Sequence, residues 1–206
     1  RGAHRGLGGV AVSDIERHYA DSDALCRAVR EHSGGTAILS FSRGKDALAS
    51  WCKMRRFFDR IVHGRPVPLP GDGSTITQLG HVNDLATAMA RCIGVDAAAN
   101  RIYNCSGRQG ITFRGLVAAA ARAAGRDPAS VEIRSFDPAG LDKKARKAFP
   151  LRLAHFLTDI TRVQRELAWT PEYDVERALA DSYANDYALR MPTTPDFSGD
   201  AALLAA

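Results

Sequence analysis

Short apolar runs alternate with helix-period stretches along this chain, and that alternation restricts it to an α/β architecture. Residues 36–41 (TAILSF) follow the breaker Ser33-Gly34-Gly35 and read as a buried parallel strand. Residues 75–79 (TITQL), 101–105 (RIYNC) and 131–136 (VEIRSF) are the other strand candidates. Helical patterns fall at 14–32, 47–62, 81–93, 112–124, 155–167 and 175–189. In the third of these, Val82, Leu85, Ala86, Met89 and Ile93 share one face. In the fourth, Leu116, Val117, Ala120 and Ala124 form a core stripe. Pro66, Pro68, Pro70, Gly71 and Gly73 make 64–74 an extended loop with a turn. The tail from Pro192 reads as irregular.

The 206 residues are enough for a sizeable core. No apolar run is long enough to span a membrane. The net charge of +5 permits a polyanionic partner without selecting one. Cys26, Cys52, Cys92 and Cys105 include no C-x-x-C pair, which excludes zinc-knuckle and thioredoxin motifs. Scattered in this way, they read as buried thiols of a reducing compartment. His63, His81 and His155 are too widely spaced for a ligand set, so no metal site is expected. The sequence opens on Arg1 rather than Met, so a native N-terminus and any transit peptide are expected to lie outside it.

From Phe57 onward a family pattern emerges. Phe57-Phe58-Asp59-Arg60-Ile61-Val62 and then Arg65-Pro66-Val67-Pro68-Leu69-Pro70-Gly71-Asp72-Gly73 resemble the entry to the substrate half of extended short-chain dehydrogenase/reductases. Gly80-His81-Val82-Asn83-Asp84-Leu85-Ala86 resembles their H-V-x-D-L-A helix start, and Trp169-Thr170-Pro171 the W-x-P turn before their last helix. Three further stretches resemble, more narrowly, the chloroplast stem-loop-binding protein family. They are Lys147-Ala148-Phe149-Pro150-Leu151-Arg152 with His155-Phe156, residues 131–137, and 178–187 (ALADSYANDY). The resemblance implies RNA binding in a plastid by an atypical NAD-dependent epimerase/dehydratase-like protein; some members of that family also cleave RNA.

The expected fold is the C-terminal part of an extended short-chain dehydrogenase/reductase (Rossmann-like) fold, with the N-terminal Rossmann half missing. Gly6-Leu7-Gly8-Gly9 has no preceding strand to make a dinucleotide loop, and Tyr19 is followed four residues later by Asp23 rather than Lys. No cofactor is therefore expected from this chain alone; NAD(P) belongs to the full-length family, and a divalent cation would be needed only for a nuclease. Residues 1–56 are expected to form an N-terminal α/β segment whose origin the sequence does not decide, 57–190 the substrate half, and 191–206 the irregular tail. The chain then reads as a fusion, a mis-joined gene or a shuffled protein.

Ser40-Phe41-Ser42-Arg43-Gly44-Lys45-Asp46 resembles the PP-loop of phosphoadenylyl-sulfate reductases, except at Arg43 and Ala47. Ser42, Gly44 and Lys45 are its phosphate-binding candidates. The same segment also reads as a plain strand-to-helix turn capped by Asp46. Lys143, Lys144, Arg146, Lys147 and Arg152 form a basic cluster able to neutralise several phosphates, with His155 beside it. Phe149 and Phe156 could stack bases or sit in the core. Arg152 also fits a nucleotide-sugar phosphate. Pro70, Gly71, Asp72 and Gly73 are the candidate substrate loop, and equally a plain turn. Catalytic residues are not assignable; Asp137, Asp142 and Asp159 are the available carboxylates and read equally as helix caps. Trp169 is expected to anchor the last helix in the core.

Three functions stand open on the sequence. One is stem-loop RNA binding, with or without endoribonuclease activity, in a chloroplast or otherwise the cytoplasm, alone or as a homo- or hetero-oligomer with a related family member. The second is a nucleotide-sugar epimerase or dehydratase half that works with a separate NAD-binding partner. The third is an inactive truncated or chimeric product.

Overall fold

A computed structural model describes residues 45–141, 149, 151–189, 194–195 and 197–204. The expected helix at 14–32 and strand at 36–41 lie outside the described residues. Helix α1 (Lys45–Val62) runs through both sides of residue 57, and Asp46 falls inside it rather than at its cap. Phe57, Phe58 and Ile61 put its apolar stripe into the core at 5% exposure or less. The helix stops at Gly64, whose φ of 62° a β-carbon would disfavour. There the Arg65 N–H closes back on the Arg60 carbonyl at 2.8 Å, the bond pattern of a left-handed C-terminal cap.

Strand β1 (Val67–Pro70) pairs in parallel with β4 (Ile133–Phe136), with Val67 opposite Ile133 and Pro70 opposite Phe136. Val67 and Gly71 donate their N–H groups to the β4 side, at Glu132 and Phe136. Pro68 and Pro70 occupy the alternate positions, where the missing N–H removes no bond to β4. Strand β2 (Ile76–Gln78) pairs antiparallel with β3 (Gly110–Thr112), a short strand not legible in the sequence. Thr112 then caps helix α3 (Phe113–Ala123) by accepting from the Gly115 N–H at 3.0 Å. Leu116, Val117 and Ala120 of the expected stripe are buried. They pack with the α1 and β1 residues and with Phe136, Phe149 and Leu179 in one core.

A second, smaller cluster joins Ala88 of helix α2 (Val82–Arg91) to Ile160, Val163 and Leu167 of helix α4 (Thr161–Leu167) and its entry, and to Trp169. Helix α2 buries its Asp84–Ala88 side. Val82 (70%), Leu85 (41%) and Ile93 (37%) of the other stripe are exposed. Residues 101–105, expected as a strand, are irregular. No strand among the described residues offers them a ladder, Ile102 is 85% exposed, and side-chain hydrogen bonds from Tyr103 and Asn104 reach Glu166 and Asp159.

The helix expected from 155 begins six residues later. Residues 155–158 instead lie along β2, whose edge takes their hydrogen bonds: the Phe156 N–H donates to the Ile76 carbonyl at 2.9 Å. Asp159 then accepts the Thr161 N–H at 2.8 Å and starts α4. Helix α5 (Val175–Ser182) is capped by Asp174 and runs into a π-helical turn (Tyr183–Tyr187). The tail is not wholly irregular: helix α6 (Asp200–Leu204) packs on β1 and β4 with Leu203 at 1% exposure. Among the described residues no helix is long and apolar enough to cross a membrane.

Candidate functional site

Two sequence motifs a long way apart meet at Asp84. Its carboxylate, 4% exposed with its residue, accepts the N–H of Glu172 at 2.8 Å on one oxygen and that of Tyr173 at 3.1 Å on the other. The Asp84 carbonyl and the Thr87 hydroxyl both take the Trp169 indole N–H, at 3.1 and 3.0 Å. Asp84 thus accepts from the stretch Trp169 to Tyr173 as well as from the Thr87 hydroxyl in its own turn at 2.8 Å, and Trp169 is a core anchor at 1% exposure. His81 starts α2, as its position suggests: its Nδ1 accepts the Asn83 N–H at 3.3 Å. With Nδ1 accepting, Nε2 carries the proton and donates to Asp181 at 3.0 Å.

This brace forms one wall of an open cleft of about 1220 Å³. Tyr173 stacks on His81, ring centroids 3.8 Å apart and 13° from parallel. Arg177, one turn into α5, lays its guanidinium over Tyr173 at 4.3 Å from the ring centroid. Arg152 lies over Phe156 in the same way, at 4.1 Å, and this pair also lines the cleft. The floor is tight backbone. Gly107 donates to the Leu79 carbonyl at 2.8 Å and accepts from the Gln78 amide at 2.6 Å. A β-carbon on Gly107 would meet the Leu79 oxygen at 2.5 Å, so only glycine fits.

Charge favours an anion. Arg91, Arg108, Arg152 and Arg177 line the cleft against Glu172 and Asp174. The Asp174 carboxylate is occupied by the Arg177 N–H at 2.8 Å. Neither Arg108 nor Arg152 has a carboxylate partner among the described residues. A guanidinium over a ring can still offer N–H donors to phosphate; Arg177 spends one on the Glu172 carbonyl at 3.4 Å.

Of the residues singled out from the sequence, Arg152 lines the cleft and His155 does not. His155 is exposed, and its Nδ1 accepts the Ile76 N–H of β2 at 3.0 Å. Ser42, Gly44, Lys143, Lys144, Arg146, Lys147 and Asp142 lie outside the described residues, and Lys45 is the first residue of α1. Pro70, Gly71, Asp72 and Gly73 stand at the end of β1, away from the cleft lining. There the Asp72 carbonyl accepts from Arg114 and its carboxylate from Ser74, whose side chain first and N–H second hold that carboxyl below the usual range. Asp137 and Asp159 cap turns, and the hydrogen bonds from Thr161 lower the Asp159 carboxyl. Phe149 is core at 4% exposure.

The sequence reading missed Arg108, Tyr173 and Arg177. The legible signal was the four-residue step from Tyr173 to Arg177 across a helix cap, which brings ring and guanidinium together. None of the described strand ends carries a glycine-rich turn opening a helix, the arrangement that holds a dinucleotide pyrophosphate.

The described residues have the C-terminal part of the extended short-chain dehydrogenase/reductase fold, the α/β class read from the sequence. They resemble dTDP-glucose 4,6-dehydratase of Bacillus anthracis in complex with NAD, with a TM-score of 0.51 at 19% identity over 68% of this chain and 39% of that one. UDP-glucuronic acid 4-epimerase of Bacillus cereus, in complex with UDP-glucuronic acid and NAD, gives 0.54 at 12% identity over 66% and 40%. In sequence the chain is 42% identical over 132 residues to the chloroplast stem-loop binding protein of 41 kDa b of Arabidopsis thaliana, covering 64% of this chain and 34% of that protein. It is 32% identical over 129 residues to dTDP-glucose 4,6-dehydratase of Streptomyces griseus, covering 63% and 35%. These similarities bear out the family resemblance read from the sequence. The match spans about a third of the length of each curated relative. No protein-family model matches the chain.

Proposed function

We propose that this chain is a plastid protein that binds stem-loop RNA through the Arg152–Tyr173 cleft. The carrying observation is the pair of guanidinium-capped rings, Arg152 on Phe156 and Arg177 on Tyr173, lining one cation-rich cleft. The 42% identity to a chloroplast stem-loop binding protein supports the reading. So does the sequence next to Arg152, where Lys143, Lys144, Arg146 and Lys147 add cations. Binding of this kind releases counterions and weakens steeply with salt. His81 also lines the cleft, held by the Asn83 N–H at Nδ1 and by Asp181 at Nε2.

The similarity to dTDP-glucose 4,6-dehydratase favours a second reading, in which the same cleft takes the diphosphate of a sugar nucleotide beside a separate NAD-binding partner.

Titration of the purified chain with a labelled stem-loop RNA at two salt concentrations tests the first reading. Affinity is expected to fall steeply with salt. Replacing Lys143, Lys144, Arg146 and Lys147 together by Ala should lower the log–log slope by roughly 0.7–0.9 for each phosphate that is no longer neutralised. Unchanged affinity after that replacement would defeat the reading. Saturable binding of a dTDP- or UDP-sugar with no RNA binding would favour the second.

A further inference from the structure

We infer that the cleft recognises an unpaired nucleotide of the RNA, with its base stacked on a guanidinium plane, and not the duplex stem. This rests on the RNA-binding reading above. Phosphate contacts alone would not favour an unpaired strand, since a duplex carries the higher charge density. The cleft offers more than charge. Arg152 sets its guanidinium carbon 4.1 Å from the Phe156 ring centroid, and both residues line the cleft. Arg177 does the same as the outer layer of a three-part stack over Tyr173 and His81.

A guanidinium in this position has two different recognition surfaces. Its N–H edge suits phosphate oxygens, and its flat face suits the π-face of a base. In a paired stem the base faces are hidden by their neighbours, so only an unstacked base can use the second surface. The stack is also pre-organised. His81 is fixed by Asp181 and the Asn83 N–H, and Asp181 by the Asn185 amide at 2.9 Å. Tyr173 is fixed by the Asp84 carboxylate at its backbone. Little ordering therefore remains for a bound nucleotide to bring about.

The test compares three RNAs at one salt concentration: a stem-loop, a blunt duplex of equal charge, and the isolated loop sequence as a single strand. Each is titrated with the intact chain and with Phe156→Leu and Arg152→Lys. Phe156→Leu keeps an apolar group under Arg152, and Arg152→Lys keeps the charge at an exposed position and leaves the fold alone. The inference predicts that stem-loop and single strand bind about tenfold or more tighter than duplex. Each variant should remove most of that difference, with a larger loss of affinity for stem-loop and single strand than for duplex. Equal binding of all three RNAs, or discrimination untouched by Arg152→Lys, would overturn the inference and leave the RNA-binding reading standing. Failure of the folded chain to bind any of the three would overturn both.

Discussion

The Asp84 carboxylate holds the Tyr173 backbone N–H at 3.1 Å, and through it the ring that carries Arg177 in the cleft. The other carboxylate oxygen takes the Glu172 N–H, so the charged group bridges two successive amides. Asp84→Asn keeps the shape but turns an NH₂ toward one of those N–H groups. Losing a hydrogen bond to a buried charged acceptor costs about 1.5–3 kcal/mol. The variant should be destabilised by that amount in denaturant titration, and its RNA affinity should fall because Tyr173 loses its anchor. Wild-type stability in Asp84→Asn would contradict this description of the wall.

The floor of the cleft gives a separable prediction. Gly107→Ala forces a β-carbon to 2.5 Å from the Leu79 carbonyl oxygen, which is backbone and cannot rotate away. The β2 side must shift, and overpacking of this kind costs about 1–3 kcal/mol. Ligand affinity should drop more than stability does, since Gly107, Gln78 and Leu79 all line the cleft. Parallel melting and binding curves measure the two effects.

Arg60 and Asp200 form an ion pair with side chains 5% and 9% exposed, which ties α6 back to α1. Removing one partner strands the other charge in the core, at a cost of about 3–5 kcal/mol. Asp200→Ala should show that loss in equilibrium unfolding. The double variant Arg60→Met/Asp200→Leu should recover much of it, because apolar replacements of a buried pair are often neutral.

Tyr187, 3% exposed, donates its hydroxyl to Asp59 at 2.9 Å. Burial, and then this hydrogen bond to a carboxylate, push its pKa well above the ordinary tyrosine value. The folded chain holds the proton more tightly than the unfolded one. The stability this confers is full below about pH 10, the unfolded value, and is lost as pH rises toward the folded value. Urea titrations from neutral to alkaline pH should show a steeper loss above about pH 10 for the wild type than for Tyr187→Phe. Parallel loss in both would contradict the assignment.

The α/β class, α1, β2, β4, α2, α3 and the buried role of Trp169 were legible because period and breakers mark them locally; β1, whose prolines read as an extended loop, was not. The Asp84 contacts were not, since an aspartate in a helix start gives no sign that the N–H groups it accepts lie far along the chain, at Glu172 and Tyr173. Residues 101–105 have a strand's pattern, but a strand also needs a ladder partner. Residues 155–160 have a helix's composition, yet the open edge of β2 competes for their hydrogen bonds. The apolar stripe of α2 shows the converse limit: Val82, Leu85 and Ile93 fall on one face as read, and that face is exposed. At the cleft, Arg152 stood out within a basic run, while Arg108 and Arg177 were isolated charges whose meaning comes only from the turns that carry them.

The most direct test of RNA binding in this cleft is photocrosslinking of a stem-loop RNA carrying photoreactive uridines to the intact chain, with the modified peptides mapped by mass spectrometry. The account predicts crosslinks in the peptides holding Arg152 to Phe156 and Thr170 to Arg177, suppressed by excess unlabelled stem-loop. A saturated RNA complex in which both peptides stay unmodified, with crosslinks confined to other surfaces such as the exposed face of α2, would contradict it.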